Sequence, residues 1–290
     1  MLVTPTGAAD LRADGTVAGM STPRSGAAGP PRRSGAWLHS LWPPAVVLVA
    51  FVALWYGATK GLRTAADVLP SPDLVGSSTG GDRANLWPAV WGASKEAVLG
   101  ILLAIVVAVL LAVAIDWSRT IRRSIYPLMV ASQTLPIIAL APLVIIWFGF
   151  GPGPKVALVA LFTFFAVAVG LVQGLASADP DTSALLRTMG ASRRQLLVRV
   201  RLPSAIPQFF TGLKVAVTYS YVAAIVAEFV GAQQGLGVYM TTAKNAFRTD
   251  LVFGAVIVTS LLTLALFVLV VALERLATPW RQPAARRVDW

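Results

Sequence analysis

"AVLGILLAIVVAVLLAVAI", residues 97–115, runs for nineteen positions without a charged or strongly polar side chain. As a helix rising 1.5 Å per residue it spans about 28 Å, close to the hydrocarbon thickness of a bilayer. Lipid offers no partner to backbone N–H and C=O groups, and a helix satisfies them internally. The stretch therefore predicts a transmembrane helix. Five further apolar runs, residues 41–58, 135–150, 156–175, 209–230 and 251–273, extend the pattern to six. The run at 135–150 is short and contains Pro136 and Pro142, so it is expected to begin upstream, near Met129, and to kink. The fold expected is an all-α integral membrane protein, a six-helix bundle over residues 41–280.

Composition agrees. The chain is 56% hydrophobic and 13% charged, with mean hydropathy +0.72, against about 25% charged residues in a soluble domain. Cysteine is absent, which excludes disulfides and thiolate metal sites. The lone His39 has no ligand partner near it in sequence and reads as solvated or interfacial, so no metal is expected.

The net charge of +11 does not point to nucleic acid, because of where it lies. With the N-terminus inside, the inner segments hold 16 Lys and Arg residues and the outer ones 7, with Lys214 inside a helix. Positive charge resists translocation, so both termini and residues 187–207 are expected in the cytoplasm. Residues 1–40 and 281–290 read as cytoplasmic tails. The first is basic, rich in Gly, Ala, Pro and Ser, without apolar period, and expected to be disordered. It has no h-region of a signal peptide, and Met20 offers a second start. After the first helix, "LPSPDLVGSS" reads as a turn region. Trp87 and Trp91 share a helix face, either in a separate lead-in at the outer interface over residues 86–96 or in an extension of the second helix.

No internal repeat, no G-x-x-x-x-G-K-[ST] phosphate loop and no acid or histidine pair at a metal or acid/base spacing occurs. An enzyme is not expected. The unusual stretch is "RTMGASRRQLLVRVRLPSAIP", residues 187–207, with five arginines and no acid. Before it, Asp179 is placed to cap a short helix carrying Ala184, Leu185, Leu186 and Met189. Gly190 suits a left-handed exit. Ser192 and Gln195 form the S-x-x-Q pattern of a second helix start, and that helix is expected to run out at Leu202-Pro203. Such a helix–glycine–helix either rests on anionic lipid through its arginines or docks a cytoplasmic partner.

These residues resemble the EAA loop of ATP-binding-cassette importer permeases: E-A-A, three residues, Gly, nine residues, Ile, one residue, Leu-Pro. Here the glycine is Gly190, the isoleucine position is Val200, and Leu202-Pro203 closes the motif, with Ala191 following the glycine. Ala184-Leu185-Leu186 stands where E-A-A is usual, so the glutamate is missing. "LPSP" at 69–72, "LAPLVIIWFGFG" at 140–151 and "AEFVGAQQGLGVYM" at 227–240 are similar to the nitrate/sulfonate/taurine branch. "RTMGASR" at 187–193, "AVTYSYV" at 216–222 and "FRTDLVFGAV" at 247–256 look most like permeases for thiamine's pyrimidine precursor. The resemblance implies a multi-pass permease of a bacterial plasma membrane, paired with a second permease copy. A binding protein outside would deliver a small solute of the pyrimidine-precursor, sulfonate/taurine or nitrate class. Two separate ATPase subunits would bind ATP and act through the coupling helix, with no cofactor on this chain.

In the fifth run Lys214, Thr218, Tyr221 and Glu228 fall within about 80° of one helix face. They either glue helices together or face the pore, and Lys214 and Glu228 can also snorkel to the interfaces. Gln133 and Thr134, before the kinked third helix, are further pathway candidates, and Trp147 and Phe148 suit either a flat solute or an interfacial aromatic belt. A proton-coupled secondary transporter relaying through Glu228 is the rival function.

Overall fold

The computed structural model describes residues 36–61 and 68–279 of the chain. The expected tails fall largely outside these residues. Every regular element among the described residues is helical. The chain divides between Val49 and Ala50, and the N-terminal unit contributes the opening of α1 (Ala36–Gly61). The second unit continues with α2 (Pro72–Gly81), α3 (Arg83–Trp117), α4 (Arg119–Ser132), α5 (Ile137–Phe148) and α6 (Pro152–Ala176). There follow α7 (Pro180–Thr188), α8 (Arg193–Leu196), a π-helical turn (Leu197–Arg201), α9 (Leu202–Phe229), α10 (Leu236–Asn245) and α11 (Thr249–Ala277). Five helical stretches, in α1, α3, α6, α8 to α9, and α11, are long and apolar enough to cross a membrane, and α4 with α5 makes a sixth when taken as one broken span.

The break between α4 and α5 is 101°. It falls where Pro136 has no N–H to donate and where the residue before a proline is disfavoured as helix. The kink expected in the third run is thus a sharp corner. Elsewhere local expectation needs correcting. The 69–78 turn region is helical from Pro72, where α2 begins, with Pro72 in its first turn and Asp73 at the positive end of its dipole. Its glycines hide it from propensity; packing on α11 holds it, with Thr79 against Gly254 and Val75 buried. Residues 86–96 are no separate lead-in but the start of the 35-residue α3. That helix is about 52 Å long at 1.5 Å per residue, longer than a bilayer core is thick. Leu86, Ala89, Val90 and Ala93 bury one side of its start, while Trp87 and Trp91 remain exposed.

The centre of the fold is α6, which packs along α9 and α3. Without a hydrophobic drive between helices in lipid, small residues that let backbones approach do the work. On α3, Ala93, Ala97, Ala104, Ala108 and Ala112 form the buried stripe. On α6, Gly170 and Gly174 meet Gln208, Gly212 and Ala205 of α9. A Cβ on Gly212 would lie 3.0 Å from the Ala166 carbonyl carbon and closer still to its oxygen. Gly212→Val is therefore expected to lower the thermal midpoint in detergent, at a cost on the order of 1–3 kcal/mol for overpacking. Gly57→Val, with nothing within 4 Å of the added Cβ, serves as the neutral control. Equal midpoints for the two variants would show that α6 and α9 can part without penalty.

Candidate functional site

The loop between α6 and α9 is built by its own sequence. Asp179 caps α7: its Oδ1 accepts from Asp181 N–H at 3.2 Å and its Oδ2 from Thr182 N–H at 3.1 Å. The Thr182 hydroxyl, with these two amides, holds the Asp179 carboxyl below its usual range. At the far end Gly190 takes φ +85°. Gly190 N–H donates to Arg187 O and Ala191 N–H to Leu186 O, both at 2.9 Å, the paired bonds of a Schellman exit. Ser192 and Gln195 then close a capping box: Gln195 N–H donates to Ser192 Oγ at 3.3 Å, and Ser192 N–H to Gln195 Oε1 at 2.8 Å.

The second helix does not run out at Leu202-Pro203 as expected. It widens into the π turn and continues as α9. Leu202 N–H donates to Leu197 O, five residues back. A proline clashes with the carbonyl four residues before it, and the wider turn just ahead of Pro203 accommodates the ring. Val200 is half-buried there, Leu202 and Pro203 are exposed, and Arg201 pairs with Asp116 at the end of α3.

On α7 and its exit through Met189 and Ala191 the apolar side chains are split. Leu186 and Ala191 are half-buried, whereas Ala184 is exposed, Leu185 is 62% exposed and Met189 is 75% exposed. Leu185 and Met189 are four residues apart, hence neighbours on one face. The result is a capped helix, connecting two spans, that presents an apolar pair.

The polar stripe of α9 divides by partner. Lys214 pairs with Glu274 of α11 at 2.5 Å. Tyr221 is buried and its hydroxyl meets Ser94 Oγ of α3 at 3.1 Å. Thr218 is exposed and its hydroxyl donates to Val215 O at 2.7 Å. Gln133 and Thr134 are exposed at the α4–α5 corner; Thr134 donates to Ala131 O, while Gln133 joins a groove between α6 and α9. Trp147 and Phe148 are exposed at the end of α5.

Glu228 is 1% exposed. Its Oε2 accepts from Gly237 N–H, in the first turn of α10, at 2.5 Å. Gly235 and Gly237 make room for it, because a Cβ on either would strike the carboxylate or its stem. Beside it lies Glu96 of α3, whose Oε1 accepts from Lys155 Nζ of α6 at 2.6 Å. Glu96 Oε2 and Glu228 Oε1 are buried without another partner. Two acidic side chains and one lysine thus tie four helices together. Glu96, Lys155, Glu274 and Asp116 are not legible as site residues in the sequence, since the partner of each is on another helix.

Residues 87–281 match the family model "Binding-protein-dependent transport system inner membrane component". The chain belongs to this family. The permease is 40% identical, over 184 residues, to the formylaminopyrimidine transport permease protein ThiX of Halalkalibacterium halodurans, covering 63% of this chain and 74% of that one. It is 30% identical over 197 residues to the taurine transport system permease protein TauC of Escherichia coli, covering 68% and 72%. The same fold appears in the crystal structure of an amino acid ABC transporter with histidines, at a TM-score of 0.51 and 16% identity, over 67% of this chain and 92% of that one. The permease is a multi-pass membrane subunit of an ATP-binding-cassette importer for a small solute, in the nitrate/sulfonate/taurine branch.

Proposed function

We propose that two copies of this permease form the path for a small solute across a bacterial inner membrane, that an extracytoplasmic binding protein delivers the solute, and that two separate ATPase subunits drive transport by gripping α7. The observation that carries the proposal is the exposed Leu185–Met189 pair on a helix fixed by caps at both ends. A helix so held moves as one body, and an apolar knob outside the spans suits a socket better than it suits water. Loss of the motif's glutamate at Ala184 removes an ion pair from the docking but not the knob. The solute comes from the classes expected above, a thiamine pyrimidine precursor, a sulfonate such as taurine, or nitrate; two of the relatives are named for formylaminopyrimidine and taurine. ATP-driven docking supplies the differential affinity that a two-state change requires.

In proteoliposomes holding the permease, its ATPase and its binding protein, uptake stops when ATP hydrolysis is blocked and does not respond to an imposed pH gradient. Uptake that follows the pH gradient without ATP would replace the importer by a proton-coupled carrier. The orientation is tested separately, since the chain has no native cysteine. In intact cells Ser77→Cys reacts with an impermeant thiol reagent and Ser192→Cys stays protected; the reverse pattern would invert the topology.

A further inference from the structure

We infer that the groove between α6 and α9 is a binding site for an uncharged, planar heteroaromatic solute and excludes anions such as sulfonates. The inference rests on the importer function proposed above and narrows its solute. The groove has a volume of about 520 Å³, within the range of small-molecule sites. The Gly170–Gly212 approach described above sinks its floor. Around that floor stand Gln133, Gln173, Gln208, Thr211, Phe162 and Tyr219.

Three features set the chemistry. First, the amides of Gln133, Gln173 and Gln208 make no side-chain hydrogen bond among the described residues, and each offers both donors and an acceptor. Polar groups at membrane depth belong to a bundle interior or a water-filled cavity, not to lipid, so this open face is built for a second copy and a solute. Second, Phe162 and Tyr219 meet edge to face, 6.2 Å between centroids at 78°. The pair makes a rigid aromatic wall on which a flat ring can stack. Third, among the described residues the groove is lined by no Lys, Arg, His, Asp or Glu. Lys214, the only cation on α9, is held by Glu274 of α11. A sulfonate would meet amides, hydroxyls and aromatic rings here but no cation to pair with, and an anion that gives up water without a partner is costly to hold. A neutral ring bearing amino and ring-nitrogen groups exchanges water for amides at little cost.

The test uses proteoliposomes of the complete complex, with labelled formylaminopyrimidine and labelled taurine as probes. ATP is expected to drive uptake of formylaminopyrimidine and not of taurine. Gln208→Leu and Tyr219→Leu should each slow that uptake about tenfold, the worth of one hydrogen bond or stacking contact, while the ATPase still copurifies. Taurine uptake, uptake of neither probe with the ATPase bound, or leucine variants at the wild-type rate each overturns the assignment. Failure of the ATPase to copurify with the wild-type permease overturns the importer function instead.

Discussion

Gly190→Pro abolishes ATP-driven uptake while leaving the membrane bundle folded. The glycine sits at φ +85°, and proline is fixed near −65°. Its N–H donates to Arg187 O, and proline has none to give. The left-handed exit and one of its two bonds are lost together, on the order of 2–4 kcal/mol of local strain and lost bonding. None of this touches the core: a Cβ on Gly190 meets nothing within 4 Å. The damage is confined to the angle at which α7 leaves for α8, and so to how Leu185 and Met189 meet the ATPase. Gly190→Asn separates geometry from side-chain bulk, because asparagine tolerates the left-handed region and keeps the N–H. The asparagine variant should retain at least a third of the wild-type uptake, and the proline variant should fall to background while its bundle still melts cooperatively. Full uptake by the proline variant would mean that the exit from α7 transmits nothing.

What the sequence disclosed follows the range of the interactions. The α7–α8 loop was legible almost atom by atom, since Asp179, Gly190, Ser192 and Gln195 act on backbone groups within three or four residues of themselves. The apolar runs were legible for a related reason: crossing a membrane is a demand on a single segment. Pro203 misled because a proline's effect depends on the turn before it, and the π turn at Leu197–Arg201 is set by how α8 joins a longer helix. Gly170 and Gly174 carry the four-residue spacing of close helix contact, but spacing alone does not say that Gly212 and Ala205 lie opposite. Lys155 is 59 residues from Glu96, and no periodicity connects them. The stripe from Lys214 to Glu228 was real as a helix face, yet partners on α11, α3 and α10 decide what Lys214, Tyr221 and Glu228 do.

Those distant partners carry the largest stability effect. Lys155→Met removes the ammonium that pairs with Glu96 and leaves that buried carboxylate with only the Glu228 carboxyl beside it among the described residues. Breaking a buried ion pair from one side costs roughly 3–5 kcal/mol. The variant is expected to accumulate at a fraction of the wild-type level and to melt well below it in detergent. Loss of methylene packing does not account for this, as methionine matches much of the lysine stem. Adding Glu96→Gln to Lys155→Met should recover most of the loss. The glutamine amide can donate to Glu228 Oε1, which is otherwise without a partner, and the facing charge is gone. Glu96→Gln alone should be nearly neutral, because its carbonyl still accepts from Lys155 and its amide satisfies Glu228. The measurement is the thermal midpoint of all four proteins in one detergent. If the double variant melts no higher than Lys155→Met, charge balance among the three side chains does not hold α3, α6, α9 and α10 together, and the loss in the single variant comes from packing.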